Sequence, residues 1–175
     1  MKKNNSGITL LALVIIVIVL IIIASISVYE GRELIAKSRV QTLETNMLLI
    51  QAKAKSYAEE IDAKIWTESD SKKDELRNRA FKDDKKFSDP VTVEQKYLDQ
   101  ISDEIKNNYI AYTITDEALK NMSLEDIKNE SYIVIYNKED FNKIDIIYAD
   151  GVKYKGNNYF TLSELKKVLS SESNN

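Results

Sequence analysis

Serine, lysine, tyrosine and carboxylates are the only side chains here able to do acid–base or nucleophilic work, because the sequence contains no histidine and no cysteine. That removes imidazole and thiolate chemistry, the commonest zinc ligands and any disulfide. Ser163 and Lys166 stand three residues apart, the spacing of neighbours on one helix face, but a serine at a helix start is far more often a cap than a nucleophile. Asp83, Asp84 and Asp89 lack the regular acidic spacing of a calcium loop, and four glycines in the whole chain build no phosphate cradle. The expectation is a protein that is not an enzyme, with no catalytic residue, no cofactor and no metal. With 25 basic against 28 acidic residues and a net charge of -3, no positive field gathers nucleic acid either.

The elements around these residues point to a structural role. Between Ile8 and Val28 no residue is charged, and only Thr9, Ser25 and Ser27 interrupt the apolar run. As a helix this run would measure about 30 Å, the hydrocarbon thickness of a bilayer, so the segment is expected to span a membrane. Lys2 and Lys3 in front of it place the N-terminus inside and the chain after Tyr29 outside. A secretory signal peptide has a shorter apolar core, and a plain anchor leaves the sequence after it unexplained.

No proline appears between Val28 and Trp66, and Ala36, Val40, Leu43, Met47, Ile50, Ala54, Tyr57 and Ile61 recur at alternating steps of four and three. This heptad stripe predicts that the same helix continues over 29–66 and packs one face on a core. From Thr67 to the single proline, Pro90, mixed charge predicts a solvated short helix or loop. Further on, a helix is expected over 97–105, a strand over 109–115, a helix over 116–129 capped by Thr115 or Asp116, and strands over 132–136, 144–148, 152–154 and 159–162. Asp150–Gly151 and Gly156–Asn157 read as hairpin turns, which makes the last strands an antiparallel meander. A closing helix over 163–169 would be capped by Ser163 or Thr161. The fold class is therefore α+β, a long N-terminal helix whose first half spans a membrane, packed against a small antiparallel sheet.

The opening run, Lys2-Lys3-Asn4-Asn5-Ser6-Gly7-Ile8-Thr9-Leu10-Leu11-Ala12-Leu13, resembles the class III leader of type IV prepilins. The resemblance covers under a tenth of the chain. It implies a leader over 1–7, cleavage after Gly7 by prepilin peptidase, N-methylation of Ile8, a filament-core helix over 8–28, its outer half over 29–66 and an α+β head over 67–175. Ile8, Thr9, Leu10, Leu11 and Ala12 would then lie in the filament-assembly segment. One position departs from the family: the fifth residue after the cut is usually glutamate, thought to pair with the amine of the adjacent subunit, and here it is Ala12.

The resemblance implies a filament subunit that waits in the cytoplasmic membrane and is then lifted into an extracellular filament, with other pilin subunits and prepilin peptidase as partners. Ala12 favours a minor or tip position, because a subunit with no neighbour above it has no amine to pair. Known tip-type pseudopilins carry a large inserted domain for which this chain has no room. A pseudopilin of a secretion or competence system and a membrane-anchored surface binding domain are the alternatives. Eight of ten tyrosines fall at Tyr97 or later, which suits an adhesive surface, but sheet propensity explains the same enrichment and core and strand packing is the better reading.

Overall fold

The structure, a computed structural model, describes the backbone of residues 6–127 and 131–173, and the side chains within it other than those of residues 6–12, 22–31 and 173. The chain divides into two compact units, residues 1–39 and 40–175. Helix α1, Ser6–Ile65, begins in the first and ends in the second.

In the first unit the described side chains from Leu13 to Ile21 are all 46–61% exposed, and Leu34 and Ile35 farther on are 67% and 57% exposed. The expected membrane-spanning half is corrected here. Among the described residues, no helix is long and apolar enough to cross a membrane. The described apolar run is nine residues, roughly 14 Å of helix and about half a bilayer core, and helix α2, Asp70–Asp83, is largely charged.

In the second unit α1 buries Val40, Leu43, Met47, Ile50, Ala54, Ala58, Ile61 and Ile65. The stripe follows the expected heptad as far as Ala54. It then takes a second step of four to Ala58, leaving Tyr57 half-buried, because a straight helix turns every 3.6 residues and a strict 3.5 repeat drifts off its face.

Five strands follow, β1 Phe87–Pro90, β2 Tyr109–Ile114, β3 Tyr132–Asn137, β4 Ile144–Tyr154 and β5 Asn157–Thr161, in the order 1-2-3-4-5 and all antiparallel. The α+β class and the meander hold. The sheet is covered on both faces. Tyr136 donates to the Ala54 carbonyl of α1 at 2.9 Å and Tyr112 donates to Asn78 of α2, which fixes one face. Ala111, Ile135 and Ile147 turn the other way onto Val93, Tyr97, Ile101 and Ile105. Double cover explains why β3 is apolar almost throughout instead of alternating. The covering segment is not one helix over 97–105 but two single turns, α3 Gln95–Leu98 and α4 Asp103–Lys106.

Three further boundaries move. Of the helix expected over 116–129, positions 128 and 129 lie outside the described residues, and the rest holds only α5, Asp116–Asn121, capped by the Thr115 hydroxyl. Asp150–Gly151 is no turn: β4 runs through it with Gly151 at φ 68 in an irregularity between Ile147 and Val152. The hairpin turn centres on Lys155 and Gly156, both at positive φ, one residue earlier than expected. The closing helix, α6 Leu162–Ser173, is longer than expected. It begins with a capping box in which Thr161 Oγ1 accepts from the Glu164 amide at 3.2 Å, while Glu164 Oε2 accepts from the Phe160 amide at 3.0 Å.

Helix α2 is tied to α1 by charge through Arg77, whose Nε donates to Asp62 Oδ1 at 2.9 Å, and the segment just after α2 is tied through Lys85. Lys64 and Lys85 both hydrogen-bond Glu60 and hold its carboxyl down at about 2. The Lys85 ammonium also lies 4.4 Å from the centre of the Tyr57 ring.

Candidate functional site

Gly7, Ile8, Thr9, Leu10, Leu11 and Ala12 lie in the first two turns of α1, but their side chains fall outside the described residues. What the structure describes next to them is the exposed run Leu13–Ile21. Nine consecutive positions cover every side of a helix, so this is not an amphipathic stripe but an apolar rod exposed all round.

The second unit engages the other residues singled out in the sequence in ways that differ from the chemistry weighed for them. Lys166 donates to Gln51 Oε1 of α1 at 3.2 Å, and the Ser163 amide donates to Asp145 Oδ1 at 3.3 Å. Thr161, not Ser163, is the α6 cap. Asp83 pairs with Arg79 at 3.4 Å and Asp89 with Lys82 at 2.6 Å. Among the described residues no three potential ligands gather around one point.

Asp145 was not foreseen as special. In the strand pattern it reads as a polar position facing water, yet the start of α6 covers it and leaves it 1% exposed. Its Oδ1 accepts from the Ile146 and Ser163 amides, while Oδ2 has no partner. Burial pushes the carboxyl above its ordinary value; the two amides, the Ser163 side chain and the charge of Lys166 oppose this only in part. A raised folded-state value means the folded protein holds the proton more tightly than the unfolded chain. Stability is therefore lost as pH rises through the unfolded and then the folded value, and regained on acidification. Asp145→Asn keeps both amide bonds and removes the buried charge. It should stabilise the protein at neutral pH by about 1 kcal/mol and lose that advantage in acid, read from denaturant midpoints at several pH values. An advantage constant with pH would mean that charge is not the cause.

A cleft of ≈ 610 Å³ opens between α6 and the turn after α3, lined by Asp99, Gln100, Tyr159, Lys167 and Val168 among others. Its carboxylates are engaged within the fold: Asp99 accepts from Gln95 at 2.7 Å, and the Gln100 amide, with its nitrogen turned toward the carboxylate, donates to Glu164. Only the late clustering of tyrosines in the sequence hinted at a surface here.

No protein-family model, curated protein or solved structure matches the chain.

Proposed function

We propose that the chain is a type IV pilin-like subunit of an extracellular filament, cut after Gly7 by prepilin peptidase and N-methylated on Ile8. The observation that carries this reading is the apolar rod Leu13–Ile21, exposed on every side and directly following the leader-like run. Roughly 25 cal/mol is recovered per Å² of such surface removed from water, and equivalent helices of neighbouring subunits would cover it. The order of elements, a long helix leading into an antiparallel meander, supports the same reading. Ala12 in place of a carboxylate favours a minor or tip position. In a repeating subunit, alanine there would leave each neighbour's buried amine without a counter-charge, at a cost of several kcal/mol.

The test is mass spectrometry of the mature N-terminus together with quantitative proteomics of sheared filaments. The expected results are a methylated N-terminal Ile8 and an abundance far below that of a co-assembled subunit with glutamate at the fifth mature position. An intact N-terminus would overturn the processing, and dominance in the filament would overturn the minor or tip assignment.

A further inference from the structure

The cleft beside α6 has the chemistry of a ligand site that the filament reading does not use. Most polar groups around it are spent on the fold: Glu164 on the Phe160 and Thr161 amides and on Gln100, and one Asp99 oxygen on Gln95. Besides the second Asp99 oxygen, two groups are not spent. Among the described residues, the Tyr159 side chain makes no ring contact or hydrogen bond, and the Lys167 ammonium has no carboxylate partner. Both line the same cleft, beside the half-buried aliphatic side chain of Val168. A half-buried aromatic ring and an ammonium without a carboxylate partner in one concavity are groups that a ligand can use.

Charge decides the class of ligand. Two carboxylates, Asp99 and Glu164, face one ammonium, Lys167, so the lining carries no positive excess and disfavours an anion. It offers donors and acceptors together, three N–H groups on Lys167 and the second oxygen of Asp99, next to a ring whose negative face attracts the positive edge of C–H groups. A pyranose matches all of these, with hydroxyls that both give and accept hydrogen bonds and one apolar C–H face. The volume, ≈ 610 Å³, suits a disaccharide.

The geometry points to a binding site for a neutral saccharide in this cleft, with the sugar ring on Tyr159 and its hydroxyls shared between Lys167 and Asp99. The site belongs to the second unit and does not depend on the filament reading; it would make the head an adhesive surface whether or not the chain is a pilin.

The full chain is titrated with a panel of neutral disaccharides, maltose, cellobiose, lactose, xylobiose and N,N′-diacetylchitobiose, and with two anionic probes, sialyllactose and a heparin disaccharide. Binding is followed by saturation-transfer NMR. At least one neutral disaccharide should bind with a Kd of about 1 mM or tighter. Tyr159→Ala should weaken it about three- to tenfold, the worth of one stacked ring. If Tyr159→Ala perturbs the edge strand, Lys167→Ala, on the exposed face of α6, supplies the same test and should weaken binding several-fold. Absence of neutral-sugar binding across the panel, binding confined to the anionic probes, or affinities unchanged in both variants would each overturn the assignment. None of these outcomes bears on the mature N-terminus, so this inference and the filament reading fail separately.

Discussion

Phe81→Ala should bring the second unit to the edge of unfolding. Phe81 is the buried residue of α2, 0% exposed, and its ring centre lies 5.0 Å from that of Tyr112, 5.2 Å from Phe87, 5.3 Å from Tyr136 and 6.1 Å from Phe141. Helix, edge strand and central strands meet on this ring. Its removal leaves a cavity bounded by rigid aromatic side chains, which cannot collapse as aliphatic ones do. The cost is about 3–5 kcal/mol for the truncation, with the lost ring–ring contacts worth roughly 0.5–1.5 kcal/mol each. Against a total of about 5–15 kcal/mol for a domain, that is most of the margin. Thermal unfolding followed by circular dichroism should show the midpoint falling by roughly 10–20 °C. Trp66→Ala, at a position 74% exposed, should leave the midpoint almost unchanged. A small shift for Phe81→Ala would mean that α2 does not close the core as described.

The features of this core differ in how far the sequence betrays them. The α1 stripe was legible because one buried face repeats over seven turns, and the error at Tyr57 came only from extrapolating a coiled-coil period onto a straight helix. The last three strands were legible because β-branched and aromatic residues cluster between turn signals. Strand β1 was not. Phe87-Ser88-Asp89-Pro90 holds a single large apolar residue and ends in proline, so pattern and propensity both argue against a strand. It exists because it is an edge: the Thr113 amide bonds the Ser88 hydroxyl at 2.8 Å in place of a backbone partner, and Pro90 needs no donor on the open side. Asp145 was missed for a different reason. Alternation tells which residues share a face but not which face another element will cover, and α6 lies eighteen residues later in the chain. The Leu13–Ile21 run was plain as an apolar segment, while its role depends on what surrounds it, which no single chain encodes.

Asp150–Gly151 and Lys155–Gly156 show how one local signal supports two structures, and they separate in a paired substitution. Both glycines have positive φ, 68° at Gly151 and 85° at Gly156, a region that costs an L-residue about 1–2 kcal/mol. The pattern that announces a hairpin turn also permits a bulge inside a strand, and only the pairing of Val152 with Tyr159 decides that Gly151 is the bulge. The surroundings then differ. A Cβ at Gly156 would meet nothing within 4 Å, so Gly156→Ala should cost only the backbone term, about 1 kcal/mol. A Cβ at Gly151 would lie 2.4 Å from Phe160 Cε1, inside contact distance, and the Phe160 ring is backed by Tyr97 with centres 5.4 Å apart. To admit the methyl group, Phe160 must shift against Tyr97, whose hydroxyl donates to the Ala149 carbonyl of the same strand at 3.0 Å. Gly151→Ala should therefore cost about 3 kcal/mol or more, the backbone term plus an overpacking term of about 1–3 kcal/mol. In the double variant Gly151→Ala with Phe160→Leu, the smaller side chain should recover part of that loss. Equal destabilisation by the two alanines would show that the ring does not oppose the methyl group. No recovery in the double variant would place the strain in the backbone of β4 alone.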